Sequence, residues 1–155
     1  MVVTDDEVRE LIDEVDRGRD RWINGRTEEF LSGARVNQAD DMTIFGPLGG
    51  PGPRPGEVSP EELLARQAAM SAQFGGGSGS VEVVKTVVEG DLVVLVLIER
   101  NEVMFPGHDT SHPWTLRTTQ VFRHTDDRWL RLHRHADPLI LHRSLDQTLS
   151  LLEEP

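Results

Sequence analysis

The sequence predicts an α+β fold in which helices cover one face of a curved antiparallel sheet. Three observations carry that expectation. Helical spacing of apolar residues is confined to the part of the chain before Gly75. Four long β-branched and aliphatic segments follow, and each pair of them is joined by a short turn. Helices and strands that segregate along a chain in this way point to α+β, not to alternating α/β.

From Asp5 to about Arg26, Val8, Leu11, Ile12, Val15 and Trp22 recur at helical spacing, and Asp5, Asp6 and Glu7 place negative charge at the positive end of the helix dipole. Gly18 weakens the middle and Gly25 is a stop. Thr27 can cap a second short helix, Glu28 to about Ala34. Asp41 to Phe45 reads as a short strand running into GPLGGPGPRPG, where glycine and proline forbid regular structure. Ser59-Pro60-Glu61-Glu62 combines a capping serine, a proline at the first helical position and a glutamate to close the capping box, so a helix is expected to about Phe74. Val81–Glu89 and Asp91–Arg100 form one predicted hairpin, and Thr115–His124 and Arg128–Asp137 a second. Pro106 to Pro113 is a polar loop with His108 and His112, expected to be solvated or to serve as a lid. The tail begins apolar at Leu139 and is expected to end as a weak helix near Leu145 to Leu152.

Composition bounds the function. A chain of 155 residues is expected to form one domain, with a core over 5–138 and a tail over 139–155. Hydrophobic residues at 37% and charged residues at 28% fit a folded protein and not a disordered one. With 27 acidic against 16 basic side chains the formal net charge is −11, which repels phosphate backbones and anionic lipid, so neither nucleic acid nor a membrane is an expected partner. The absence of cysteine removes disulfides, thiolate metal sites and cysteine nucleophiles, and fits a reducing cytoplasm. MVVTDDEVRE lacks the basic and then apolar pattern of a secretion signal, and the longest apolar run, Leu92 to Ile98, is far short of a membrane span.

Two stretches resemble a known superfamily. Ala39-Asp40-Asp41-Met42-Thr43-Ile44-Phe45-Gly46-Pro47 resembles the acidic turn and first strand of ketosteroid isomerases. Thr119-Gln120-Val121-Phe122-Arg123, followed by WLRLHRHADP over 129–138, resembles the closing hairpin of SnoaL-like proteins and of the kinase association domain. The resemblance, over nearly all of 5–138, implies the nuclear-transport-factor-2-like, cystatin-like architecture: a cone-shaped curved sheet wrapped around N-terminal helices, with a pocket for a small apolar molecule and no cofactor. A homodimer through the outer sheet face is expected whichever function holds. The departures are chemical. The isomerases' proton-shuttling aspartate corresponds to Gly46 and their neutral aspartic acid to Gln120, and there is no tyrosine for an oxyanion hole. The His-x-Asp pair of SnoaL-type cyclases falls on Leu132 and Arg134. These differences argue against steroid-type isomerisation.

Alternation then poses a choice of face on the last strand. Carried over from the resemblance, Leu130, Leu132, Arg134 and Ala136 face the cavity, beside Thr118, Gln120 and Phe122. By chemistry alone the other face is attractive, because His133, His135 and Asp137 could act as base, acid and orienter, or sit structurally at a dimer interface. A His-x-His metal site lacks a further spaced ligand, so no metal is expected. An inward Arg134 needs an acceptor, and Glu99, at the end of an otherwise Val/Leu strand, is the best-placed carboxylate. The expected catalytic set is therefore Glu99, Gln120, Arg134, His133 and Asp137. Trp22, Phe45, Met70, Phe74, Thr118, Phe122, Leu132 and Ala136 are the expected lining. The function expected is small-molecule binding, with cofactor-free acid–base chemistry (cyclisation, isomerisation, dehydration or epoxide opening) or with binding or dimerisation alone.

Overall fold

The structure, a computed structural model, describes residues 2–26, 36–126 and 128–152. The helix expected over Glu28 to Ala34 lies outside them. Among the described residues the elements in chain order are α1 (Asp5–Ile23), β1 (Val36–Phe45), α2 (Pro60–Ser71), β2 (Gly77–Glu89), β3 (Leu92–Val103), β4 (His112–Pro113), β5 (Leu116–Thr125), β6 (Arg128–Pro138) and α3 (Leu145–Leu149). The fold is α+β, with one curved, unclosed six-stranded sheet in the order β1-β6-β5-β3-β2 and β4 paired to β3.

Local chemistry explains the helix ends. Thr4 and Glu7 close a reciprocal capping box at the start of α1, and the helix runs through Gly18 to Ile23. At α2, the Ser59 hydroxyl accepts from the Glu62 amide at 3.1 Å, while the Glu62 carboxylate accepts from Arg66. Helix α2 stops at Ser71, whose hydroxyl is buried and donates to the Trp22 carbonyl at 2.6 Å, tying the ends of α1 and α2 together. The tail helix α3 has its own capping box at Ser144 and is shorter than expected; Leu145 and Leu149 stay exposed.

Two strands depart from expectation. The first is longer, and β1 joins β6 in parallel, not antiparallel, so the sheet is mixed. Strand β2 begins at Gly77, four residues before the expected start at Val81. Here glycine is required by proximity: a Cβ at Gly77 would meet the Glu102 carbonyl oxygen at 2.0 Å, and one at Gly79 the Arg100 oxygen at 2.1 Å. A glycine run that reads as loop chemistry is in fact a strand pressed closely against its neighbour.

Two apolar clusters hold the layers together. Val8, Leu11 and Val15 of α1 pack on Val93, Leu95, Leu97, Phe122 and Trp129. Further along the helix, Ile23 meets Phe74 and Val103, with Trp22, Met70, Phe105 and Trp114 around them. The first cluster fills the space between helix and sheet; beside the second the packing opens into a cavity. Among the described residues no helix is long and apolar enough to cross a membrane.

Candidate functional site

The cavity has a volume of about 270 Å³ and lies between α1, α2, the segment after β1 and the concave sheet face. Its walls are mostly apolar: Val15, Trp22 and Ile23 from α1, Met42 and Ile44 from β1, Leu63 and Met70 from α2, then Phe74, Trp114 and Leu116. Gly18 contributes a wall without a side chain, which helps keep the space open. The edge-to-face contacts of Phe74 with Trp22 and Trp114 brace one end.

Polar groups enter this apolar chamber from the sheet. Glu99 on β3 is buried, 5% exposed. Arg134 donates through one guanidinium nitrogen to both Glu99 oxygens, at 3.1 and 3.0 Å. The Gln120 side-chain amide donates to the same carboxylate at 3.3 Å, and its own oxygen is buried with no hydrogen-bond partner among the described residues. A second network fixes the far wall. Arg19, buried on α1, donates to Asp16 at 2.8 Å, to the Asn101 side-chain oxygen at 2.8 Å and to the Gly79 carbonyl at 3.0 Å. Asn101 passes the link on by donating to the Trp114 carbonyl at 2.9 Å. One arginine thus ties helix α1, strands β2 and β3 and the Trp114 wall together.

A β-bulge decides which side chains of β6 reach the cavity. Pairing with β5 runs Trp129 to Arg131 against His124 to Phe122, then shifts so that His133 faces Val121 and Arg134 faces Gln120. Leu132 is the extra residue. An inserted residue reverses the parity of alternation beyond it, so residues on opposite faces of a regular strand come to share one. Trp129 and Arg131 therefore point inward on one side of the bulge, and Arg134 and Ala136 on the other.

The expected residues sort accordingly. Glu99, Gln120, Arg134, Trp22, Met70 and Phe74 line the cavity. Leu132, expected inside, is the bulged residue and is absent from the cavity wall. Phe45 is 46% exposed on the outer side, where its ring meets His133 and His135 edge-on. Phe122, Thr118 and Ala136 point inward but are covered by other side chains, Phe122 within the α1-facing core. His133 and Asp137 face away from the cavity. The His133 Nδ1 shares a 2.7 Å hydrogen bond with the Thr43 hydroxyl, and Asp137 is bound by Arg117. Burial chiefly, and the neighbouring His135, hold the His133 pKa below its ordinary value, while hydrogen bonding to the Thr43 backbone acts the other way. His108 and His112 meet edge-to-face outside the cavity, with ring centroids 4.6 Å apart. Among the described residues no group of His, Asp or Glu is placed to hold a metal.

Arg19, Asn101 and Arg131 were not singled out from the sequence. For Arg19 a signal existed: a charged residue four after Val15 and three before Trp22 sits on the core-facing stripe of its helix. For Arg131 there was none, since a bulge leaves no clear mark in WLRLHRHADP.

A curved sheet wrapped on an N-terminal helix, with a cavity between them, is the nuclear-transport-factor-2-like, cystatin-like fold. The chain shares it with a nuclear-transport-factor-2-like protein from Cytophaga hutchinsonii at 15% identity and a TM-score of 0.61, covering 88% of this chain and 100% of that one. A domain of unknown function with a cystatin-like fold from Nostoc punctiforme superposes with a TM-score of 0.64 at 15% identity, over 96% of this chain and 85% of its own. A candidate dehydratase of the nuclear-transport-factor-2-like family from Streptomyces avermitilis superposes at 0.60 with 21% identity, over 83% and 96% of the two chains. No protein-family model matches the sequence, and no curated protein matches it.

Proposed function

We propose that this protein binds a small, largely apolar organic molecule in the cavity and acts on it by cofactor-free proton transfer. The observation that carries the reading is the Glu99 carboxylate, buried at the wall of an apolar chamber of about 270 Å³ and held by Arg134 and Gln120. A positioned carboxylate is a general base, and a neighbouring guanidinium can hold negative charge that develops on a substrate carbonyl or hydroxyl. Gln120, at the cavity wall, would orient that group. Isomerisation, cyclisation, dehydration and epoxide opening all need this pairing of base and anion-holder. The Streptomyces avermitilis protein is described as a candidate dehydratase, which belongs to the same group of reactions, though a fold alone does not carry an activity.

A non-catalytic ligand-binding or dimerisation domain is the second reading. One observation favours it: both Glu99 oxygens are already occupied by Arg134. We further infer that two copies associate through the outer sheet face.

The test is a panel of small hydroxy, keto and epoxide compounds followed by thermal shift for binding and by proton NMR for turnover. The catalytic reading expects at least one compound to be converted, and Glu99→Gln to stop conversion while the thermal shift persists. Binding without conversion across the panel would favour the second reading, and a panel that neither binds nor reacts would remove the ligand cavity altogether.

A further inference from the structure

Among the described residues four arginines line the cavity, and three of them have a carboxylate of their own. Arg19 is paired with Asp16, Arg66 with Glu62 and Arg134 with Glu99. The fourth, Arg131, has no carboxylate partner among the described residues, and its Nε is buried with no hydrogen bond. Its guanidinium lies over the Phe122 ring, 5.5 Å from the centroid, a contact that stabilises a cation without neutralising it. Burial and the nearby positive charge of Arg134 pull its pKa down to about 10, with Glu99 the smaller, opposing influence. At neutral pH it remains charged. The side chain as a whole is half-buried, and a cation partly withdrawn from water with no carboxylate beside it favours a ligand of opposite charge.

We propose that the ligand of the cavity is a small monocarboxylic acid with an apolar body, its carboxylate seated on Arg131. The proposal rests on the reading of the cavity as a ligand site and names the chemical class it takes. One uncompensated cation calls for one negative charge. The two terminal nitrogens of the guanidinium, which make no hydrogen bond among the described residues, are the donors that match a planar carboxylate. The remaining wall sets the rest of the molecule. Trp22, Met70, Phe74 and Trp114 ask for an alkyl or aryl body, and about 270 Å³ lies at the small end of ligand pockets.

The experiment compares acids with their neutral amides: phenylacetate with phenylacetamide and hexanoate with hexanamide, titrated calorimetrically into the full chain at neutral pH. The acids are expected to bind at least about tenfold more tightly than the amides, the usual margin for a charge-assisted bond over a neutral one. Arg131→Met should erase that margin while leaving amide binding in place, and Arg131→Lys, which keeps the charge, should retain part of it. Equal binding of acid and amide, or a preference that survives Arg131→Met, would overturn the carboxylate assignment and leave the ligand cavity standing. Failure of acids and amides alike to bind at millimolar concentration would overturn both.

Discussion

Arg131 and Arg134 stand three residues apart on one strand, and their surroundings give them opposite effects on stability. Arg134 satisfies Glu99, whose side chain is 6% exposed, so Arg134→Met leaves a buried carboxylate with only the long Gln120 bond. Breaking such a pair from one side is expected to cost about 2–4 kcal/mol. Arg131 is itself the unpaired charge, and Arg131→Met replaces it with an apolar side chain of similar length over Phe122. That change is expected to be neutral or to stabilise by no more than about 1 kcal/mol, because the side chain is half-buried and water still screens part of its charge. Urea denaturation of both variants without ligand checks the pair; destabilisation by Arg131→Met would mean that the guanidinium has a compensating partner. The sequence showed one of these arginines and hid the other for a single reason. An arginine opposite a lone glutamate among Val and Leu residues stands out, whereas the face of Arg131 depends on an inserted residue that no side-chain pattern announces.

At the scale of elements, β2 and the outer side of β6 each carry a prediction. The first four residues of β2 look like a glycine-rich loop and are paired with Arg100 to Val103. Their glycines allow close approach, and Gly79 also presents its carbonyl to Arg19. Gly79→Ala places a methyl against backbone atoms that cannot swing away, so a loss of about 2 kcal/mol or more is expected by thermal or urea unfolding. A change within a few tenths of a kcal/mol would show instead that the strand end is loosely held. On β6, His133 is proton-poor in the folded state because its pKa is lowered, so the unfolded chain binds more protons as the pH falls. Its stabilising contribution is complete above about pH 6.5 and is lost as the pH drops through the lowered folded value. His133→Asn, which can keep the bond to Thr43, should flatten the decline in unfolding midpoint between about pH 7 and 5. An unchanged slope would assign acid sensitivity to other groups. Most elements were readable because apolar spacing, caps and hairpin turns act locally. The parallel pairing of β1 with β6 was not, since strand direction is set by chain paths distant in sequence.

For the whole molecule, the question is what covers the outer sheet face. Beyond the cavity side, β3 and β5 present Val94, Val96, Ile98 and Val121 outward, half-buried, next to the exposed Val87 of β2 and to His133, His135 and Phe45. Ion pairs lie toward the ends of this face: Arg100 with Glu82 and Arg117 with Asp137 at one, Arg123 with Asp91 at the other. An apolar centre with a charged rim is how stable protein interfaces are built. The net charge of −11 works against two copies meeting, so association must come from that centre and should tighten as salt screens the repulsion. Sedimentation velocity at micromolar concentration is therefore expected to show a dimer, more complete at higher ionic strength. Val96→Glu, which places a carboxylate in the middle of the face without touching the cavity, should shift it to monomer while the unfolding transition stays cooperative. A monomer at every salt concentration, or a dimer indifferent to Val96→Glu, would exclude this face as the contact and leave its valines and histidines to be covered by something other than a second copy.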